Sequence, residues 1–326
     1  MTLDINNFEA HDFLKEHQDI LDVLLKDRTT KKNIIWATDN YQKKGYKLTD
    51  QITSFSVLSK SNPIKPRIEK SKTEQTKRSK DMAEVFTPAW ICNNQNNLID
   101  EEWFGYKNPF NTSNEKEWNP TEKVEFKNDK NWKDYVSDTR LEITCGEAPY
   151  IVSRYDTVTG NKIDLKNRIG LFDRKMRVIN ENATTDEEWI EESKIALKNV
   201  YGFEFQGDNL LIARENIFFS YLEYYFDKFD GFPDVELLNE VAEIISWNFF
   251  QMDGIKMVVP FSCHNVKDEY VQLSLFDIGG DSSPKEDICP GCKNNDVNKH
   301  NGDKCVIMDW KNNKKIKFMS LMKGGY

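Results

Sequence analysis

Phe13, Ile20, Leu21, Val23, Leu24 and Leu25 recur at helical spacing, so residues 8–27 are expected to form an amphipathic helix. That helix opens a small helical region over residues 1–59. From about Asp81 onward the pattern changes to short apolar runs alternating with longer helical ones. LEITC (141–145) reads as a strand, Trp189–Lys198 as a helix, VYGFEF (200–205) as a strand and Asn209–Asp227 as a second helix. Such alternation predicts an α/β domain over residues 81–270, built on a doubly wound sheet with crossover helices. After Phe261 the chain turns polar: residues 271–288 read as a linker and 289–326 as a cysteine-bearing knuckle with terminal strands. No internal repeat at solenoid or propeller spacing is visible.

Composition sharpens this outline. At 326 residues and 38.2 kDa the chain exceeds one minimal domain, and its mean hydropathy of -0.70 leaves no membrane span. Six cysteines and an N-terminus without a secretory apolar segment point to thiols in a reducing cytoplasm. A net charge of -9 argues at first against a nucleic-acid partner. The charge is unevenly placed, however. Residues 1–80 carry 16 basic and 11 acidic side chains, and the remainder carries 29 and 43. Eight of the basic residues lie between Lys60 and Lys80, in a segment with two prolines that is expected to be an exposed, mobile linker or arm suited to a polyanion such as DNA.

Within the α/β region, Leu141-Glu142-Ile143-Thr144-Cys145-Gly146-Glu147-Ala148-Pro149-Tyr150 reads as a strand, a glycine turn and a helix start, where a ligand can approach the backbone closely. Glu204 ends the second strand, the place from which a carboxylate can accept from both hydroxyls of a ribose. Asp253-Gly254 follows the apolar run 244–252, and Thr87-Pro88 lies upstream, ahead of a helix-like stretch.

The order Phe-Thr-Pro, Leu-Glu-x-x-Cys-Gly-x-x-Pro-Tyr, Tyr-Gly-x-Glu and Asp-Gly over about residues 80–255 resembles the S-adenosylmethionine-dependent amino-group DNA methyltransferases, especially the adenine enzymes that serve as modification subunits of restriction systems. The resemblance implies a Rossmann-like methyltransferase sheet and methyl transfer to an adenine exocyclic amine. It implies that Thr87 and Pro88 hold the methionine part of the cofactor and that Glu142, Cys145 and Gly146 line its loop. Glu204 would take the ribose hydroxyls and Asp253 the adenine amine. The family's catalytic tetrapeptide, an acceptor followed by Pro-Pro and an aromatic, is absent. Two remnants stand in for it: Pro260-Phe261, which lacks the acceptor, and Asp309-Trp310, an acceptor beside an aromatic at the end of an apolar run, which is preferred for catalysis. The missing tetrapeptide and the short stretch after Asp309 leave two alternatives to the enzyme. One is a catalytically defective cofactor-binding subunit that needs a specificity or nuclease partner; the other is a zinc adaptor associated with nucleic acid or a sliding clamp.

Two further motifs lie toward the C-terminus. Cys289-Pro290-Gly291-Cys292, His300 and Cys305 have the spacing of a four-ligand structural zinc site, with Gly291 expected to supply a left-handed turn and Cys263-His264 as a competing ligand pair. Gln272-Leu273-Ser274-Leu275-Phe276 resembles the peptide by which bacterial DNA-processing proteins bind the replicative sliding clamp, and its alternation also suits a half-buried strand.

Overall fold

The computed structural model describes residues 10–59, 64–82, 84–267 and 286–322. The first helical pattern becomes two short helices, α1 (Ala10–Glu16) and α2 (Gln18–Leu25), broken at His17, whose backbone leaves the helical region. Helix α2 buries Ile20, Leu21, Leu24 and Leu25, and α3 (Ser54–Leu58) begins at a reciprocal Thr53–Ser56 capping box. Residues 10–59 are not a separate body. Leu24, Trp36 and Ile52 belong to the same apolar core as the helices of the α/β region.

Helix α4 (Lys72–Met82) occupies much of the stretch expected to be a mobile basic arm. Lys70 and Arg78 are buried there, because both reach Asp208 across the chain. Next come α5 (Ala89–Phe104), the hairpin β1 (Asn111–Asn114) and β2 (Glu117–Pro120), and α6 (Trp132–Ser137). The sheet begins at β3 (Arg140–Glu142). Helices α7 (Leu171–Asn182) and α8 (Asp186–Lys198) lead to β4 (Val200–Glu204). Helices α9 (Gly207–Phe229) and α10 (Val235–Asn248) lead to β5 (Phe249–Gln251).

Strands β3, β4 and β5 are parallel and lie in that order, with Glu142 beside Gly202 and Glu204 beside Gln251. A mixed α/β architecture is therefore present. The reversal of strand order that makes a sheet doubly wound does not occur among the described residues. Each strand adds on the same side of the last, and right-handed crossovers then put the connecting helices on one face. Val200 and Phe249 pack into that helical core. The other face, carrying Tyr201, Phe203 and Phe250, is covered by the hairpin β8 (Val306–Asp309) and β9 (Lys314–Lys317), through Ile307, Ile316 and Phe318. Between β5 and this hairpin lie the two-residue strands β6 (Val266–Lys267) and β7 (Glu286–Asp287) and helix α11 (Pro290–Asn294); α12 (Met319–Met322) follows β9.

Buried Arg214 on α9 ties the layers together. Its guanidinium donates to the carbonyls of Leu24 and Lys26 in the N-terminal region and of Ser246 and Phe249 at the junction of α10 and β5. No described helix is long and apolar enough to cross a membrane.

Candidate cofactor cavity and metal centre

The carboxyl ends of β3 and β4 open onto a cavity of about 890 Å³ lined by Thr87, Glu142, Cys145, Gly146, Glu204 and Phe205, among others. Its floor is the turn after β3. Thr144, Gly146 and Ala148 all have left-handed φ, at 47°, 55° and 61°. A Cβ on Gly146 would meet nothing closer than the Phe86 ring at 3.8 Å, so glycine is favoured there by backbone conformation rather than by space. The expected helix after this turn is reduced to a single turn closed on the Ala148 carbonyl. It stops because the Ser153 amide donates instead to Asp173 on α7, at 2.8 Å.

Glu204 is buried and held at both oxygens, accepting from the Gly146 amide at 3.0 Å and from the Gln206 amide at 3.1 Å. Burial pushes its pKa up to about 7 against the pull of these two amides. Each carboxylate oxygen keeps acceptor capacity for a further donor. Burial likewise holds Glu142 well above the usual carboxylate range. One Glu142 oxygen, Oε1, accepts weakly from the Tyr150 amide at 3.5 Å, while Oε2 is buried without a partner. Asn96, on α5, also lines the cavity. Its amide donates to the carbonyls of Tyr150 and Ile169, and its Oδ1 is buried without a partner. Unmet buried acceptors are costly, and here three of them, with Glu84 Oε1, belong to residues lining one cavity. Cys145 is a buried thiol pushed well up by desolvation, a packing group rather than a nucleophile.

The wall opposite β4 is held by an ionic cluster that sequence reading did not detect. Arg78 on α4 donates to Glu84 at 2.7 Å, to Asp208 at 2.8 Å, and to Gln206 and Asn209 at 3.1 and 3.2 Å. Tyr41 donates to Asp208 at 2.6 Å, and Lys70 lies 3.5 Å from the same carboxylate. Burial alone would raise Asp208, but the Arg78 and Lys70 charges win and hold it far below the usual range. Glu84, Gln206 and Asn209 all line the cavity. No spacing in the chain links Arg78 to an acid 130 residues away; the only local signal is the dense polar run Gln206-Gly207-Asp208-Asn209 at the start of an otherwise apolar helix.

Thr87 reaches the cavity, whereas Pro88 caps α5 behind it. Asp253 does not line the cavity. Its carboxylate closes its own turn, accepting from the amides of Ile255 and Lys256 at 3.1 and 3.0 Å and pairing with the Lys256 ammonium at 3.4 Å. Asp309 and Trp310 also lie elsewhere. They line a separate cavity of about 810 Å³ with Tyr201 and Phe318. Asp309 is occupied by Asn312 in the β8–β9 turn, and the Trp310 indole donates to Asn248 at 2.7 Å. The preferred catalytic pair is thus not brought to the Glu204 cavity. Leu141 lines both cavities.

A second candidate site stands beside β5. Cys263, Cys289, Cys292 and His300 place their ligand atoms within 4.8 Å of one another, and this group can hold a metal ion. The three sulfurs lie 3.7, 3.8 and 3.6 Å from Nδ1 of His300, the edge lengths of a tetrahedron around one ion. The fourth member of the group is therefore Cys263 and not Cys305. The Cys305 thiol is buried in the apolar layer under β5, next to Phe250 and Phe318, and donates to the Gln251 carbonyl at 3.5 Å. His264 engages Asn301 through its backbone and is not one of the four. Gly291 has no left-handed φ. It is required for closeness, since a Cβ there would sit 2.3 Å from the His300 amide nitrogen.

The clamp-like peptide Gln272-Leu273-Ser274-Leu275-Phe276 lies outside the described residues. Compared with known proteins, the chain matches no family model, no curated protein and no solved structure.

Proposed function

We propose that this chain binds S-adenosylmethionine in the cavity at the ends of β3 and β4 and serves methyl transfer to an adenine exocyclic amine in DNA. One observation carries the reading. Glu204 is fixed by two backbone amides over the Gly146 turn, with acceptor capacity left for a ribose diol, in a cavity lined also by Glu142 and Asn96, each of which has a buried acceptor without a partner. A cationic ligand suits Glu142, because a neighbouring positive charge draws a desolvated carboxyl toward its ionised form. Thr87 and the α4 wall close the cavity from the other side. In this reading the Rossmann-like half of a methyltransferase is present in β3, β4, β5 and their helices.

The chemical step needs an acceptor for the target amine and an aromatic face for the flipped base. Asp309 and Trp310, the chain's own candidates, lie on the other cavity. That observation favours a second reading, a cofactor-binding subunit whose chemistry and sequence recognition are completed by another polypeptide. Strand β3 is suited to such a partner: it is an edge strand among the described residues, with Leu141 45% exposed and Ile143, just past its end, 67% exposed beside the cavity. Methyl-labelled cofactor and unmethylated DNA separate the two readings. Transfer to adenine by the chain alone supports the enzyme. Cofactor binding without transfer until a second subunit is added supports the partial one.

We assign zinc to the Cys263, Cys289, Cys292 and His300 group. Three thiolates and one imidazole leave no open position, the pattern of a structural ion rather than a catalytic one. Metal analysis of the purified protein tests this, with one equivalent expected.

A further inference from the structure

The metal centre and the cavity are joined by a short strained segment. Between Asp253 and Cys263 the backbone enters the left-handed region twice at residues with full side chains, Met257 (φ 53°) and Phe261 (φ 59°). An aromatic residue rarely adopts that conformation unless its surroundings over-determine it. Phe261 has no burial to hold it, being 51% exposed. The restraint comes from its neighbours. Val258 bridges Asp253 on one side and Lys304 on the other, and the Val259 amide donates to the Asp303 carbonyl at 2.9 Å. The Ser262 hydroxyl donates to the Val259 carbonyl at 2.6 Å and accepts from the Asp303 amide at 3.0 Å. Apart from the local Ser262–Val259 bond these tethers run to Asp253 or to residues 303–304, and the metal ligand Cys263 comes two residues after Phe261.

The Phe261 ring, held in this way, meets Phe205 nearly edge-on, with centroids 5.7 Å apart and planes at 73°. Phe205 lines the cavity and directly follows Glu204. If Glu204 takes the hydroxyls of a ribose, the attached base lies one sugar carbon further on, within reach of the residue that follows.

We propose that the metal ion held by Cys263, Cys289, Cys292 and His300 fixes Phe261 against Phe205, and that the Phe205 ring braced in this way is the wall on which a purine base in the Glu204 cavity packs. The proposal rests on the nucleoside reading of the cavity given above. It makes Phe261 a positioning residue acting through Phe205, and it makes nucleoside affinity depend on metal occupancy without the ion touching the ligand.

The test uses the full chain, metal-loaded and metal-stripped, with S-adenosylmethionine and S-adenosylhomocysteine as probes in calorimetry and with backbone hydrogen exchange recorded without any nucleoside. Phe261→Ala keeps its metal and is expected to bind both probes about two- to tenfold more weakly, the range for losing one aromatic pair. Phe261→Tyr restores affinity. Stripping the metal weakens the wild type by a similar factor and adds little in Phe261→Ala, because both changes remove the same brace. Exchange over residues 253–264 rises when the metal is removed. Equal affinity of Phe261→Ala and wild type overturns the proposal. So does equal affinity of loaded and stripped wild type, or exchange over 253–264 that ignores the metal. A loaded wild type that binds neither nucleoside, yet shows the metal-dependent exchange, overturns the cavity reading and the purine wall with it. Tight nucleoside binding with unchanged exchange overturns the metal brace alone.

Discussion

Replacing Arg78 by methionine removes the cation at the centre of the cluster that fastens α4 to the α/β core. The guanidinium is fully buried and makes four hydrogen bonds, two of them to the carboxylates of Glu84 and Asp208. Methionine fills much of the volume but leaves both acids short of charge. Asp208 retains Tyr41 at 2.6 Å and the Lys70 ammonium at 3.5 Å, and Glu84 retains the amides of Gln206 and Asn209 and the more distant Arg67 guanidinium at 3.9 Å. Breaking a buried pair in this way costs about 3–5 kcal/mol. That is a large part of the roughly 5–15 kcal/mol that separates a folded protein from its unfolded state. The pH dependence carries a sign. In the wild type Asp208 sits far below its unfolded value, so its contribution is present above the ordinary aspartate range and is lost on acidification. In Arg78→Met that acid-side loss shrinks, because the pair that lowered Asp208 is gone. Urea unfolding at pH 7 and at pH 3, below the ordinary aspartate value, measures both effects. The triple replacement Arg78→Met, Glu84→Gln, Asp208→Asn is expected to recover part of the loss, since no buried acid of the cluster is then left without its cation. A loss below about 1 kcal/mol for Arg78→Met at pH 7 would refute the reasoning, as that is the range of a surface pair.

Four further outcomes follow from the two sites. Cys263→Ser is expected to abolish stoichiometric metal binding while Cys305→Ser keeps it, read by metal analysis and by the charge-transfer absorption of the cobalt form. Gly291→Ala should weaken metal retention at least tenfold in a chelator competition, because its Cβ has no room beside the His300 backbone. For Glu204 the folded pKa is raised to about 7, so the ligand-free protein loses stability as pH rises from the ordinary carboxylate range through 7. Ribose binding to the ionised form runs the other way: affinity for S-adenosylmethionine should rise about tenfold from pH 6 to pH 8 in the wild type, and this increment should vanish in Glu204→Gln.

Much of the α/β layout was legible because its elements obey local periodicities. Helices α8 and α9 and strand β4 fall where the apolar pattern put them, within a few residues. The run from Ile244 to Met252 was not legible, since a continuous apolar stretch hides the change at Phe249 from helix α10 to strand β5, a junction set by Arg214 from another helix. Cys289, Cys292 and His300 were readable as neighbours in sequence. The choice between Cys263 and Cys305 was not, because it depends on which thiol faces the knuckle and which faces the apolar layer. The basic stretch misled for a related reason: Lys70 and Arg78 look like a solvated charge run until Asp208 arrives from the start of α9. Asp253 shows the converse, a residue whose place in the order suited a ligand but whose carboxylate is used by its own turn.

The cavity reading stands or falls on Glu204. Calorimetry of S-adenosylmethionine against the metal-loaded wild type and Glu204→Ala at pH 8 tests it most directly. Saturable binding at one site, weakened at least about tenfold by the substitution as expected for losing charge-assisted hydrogen bonds to a ligand, is the result this account requires. Absence of binding by the wild type, or equal affinity of the two proteins, would contradict it.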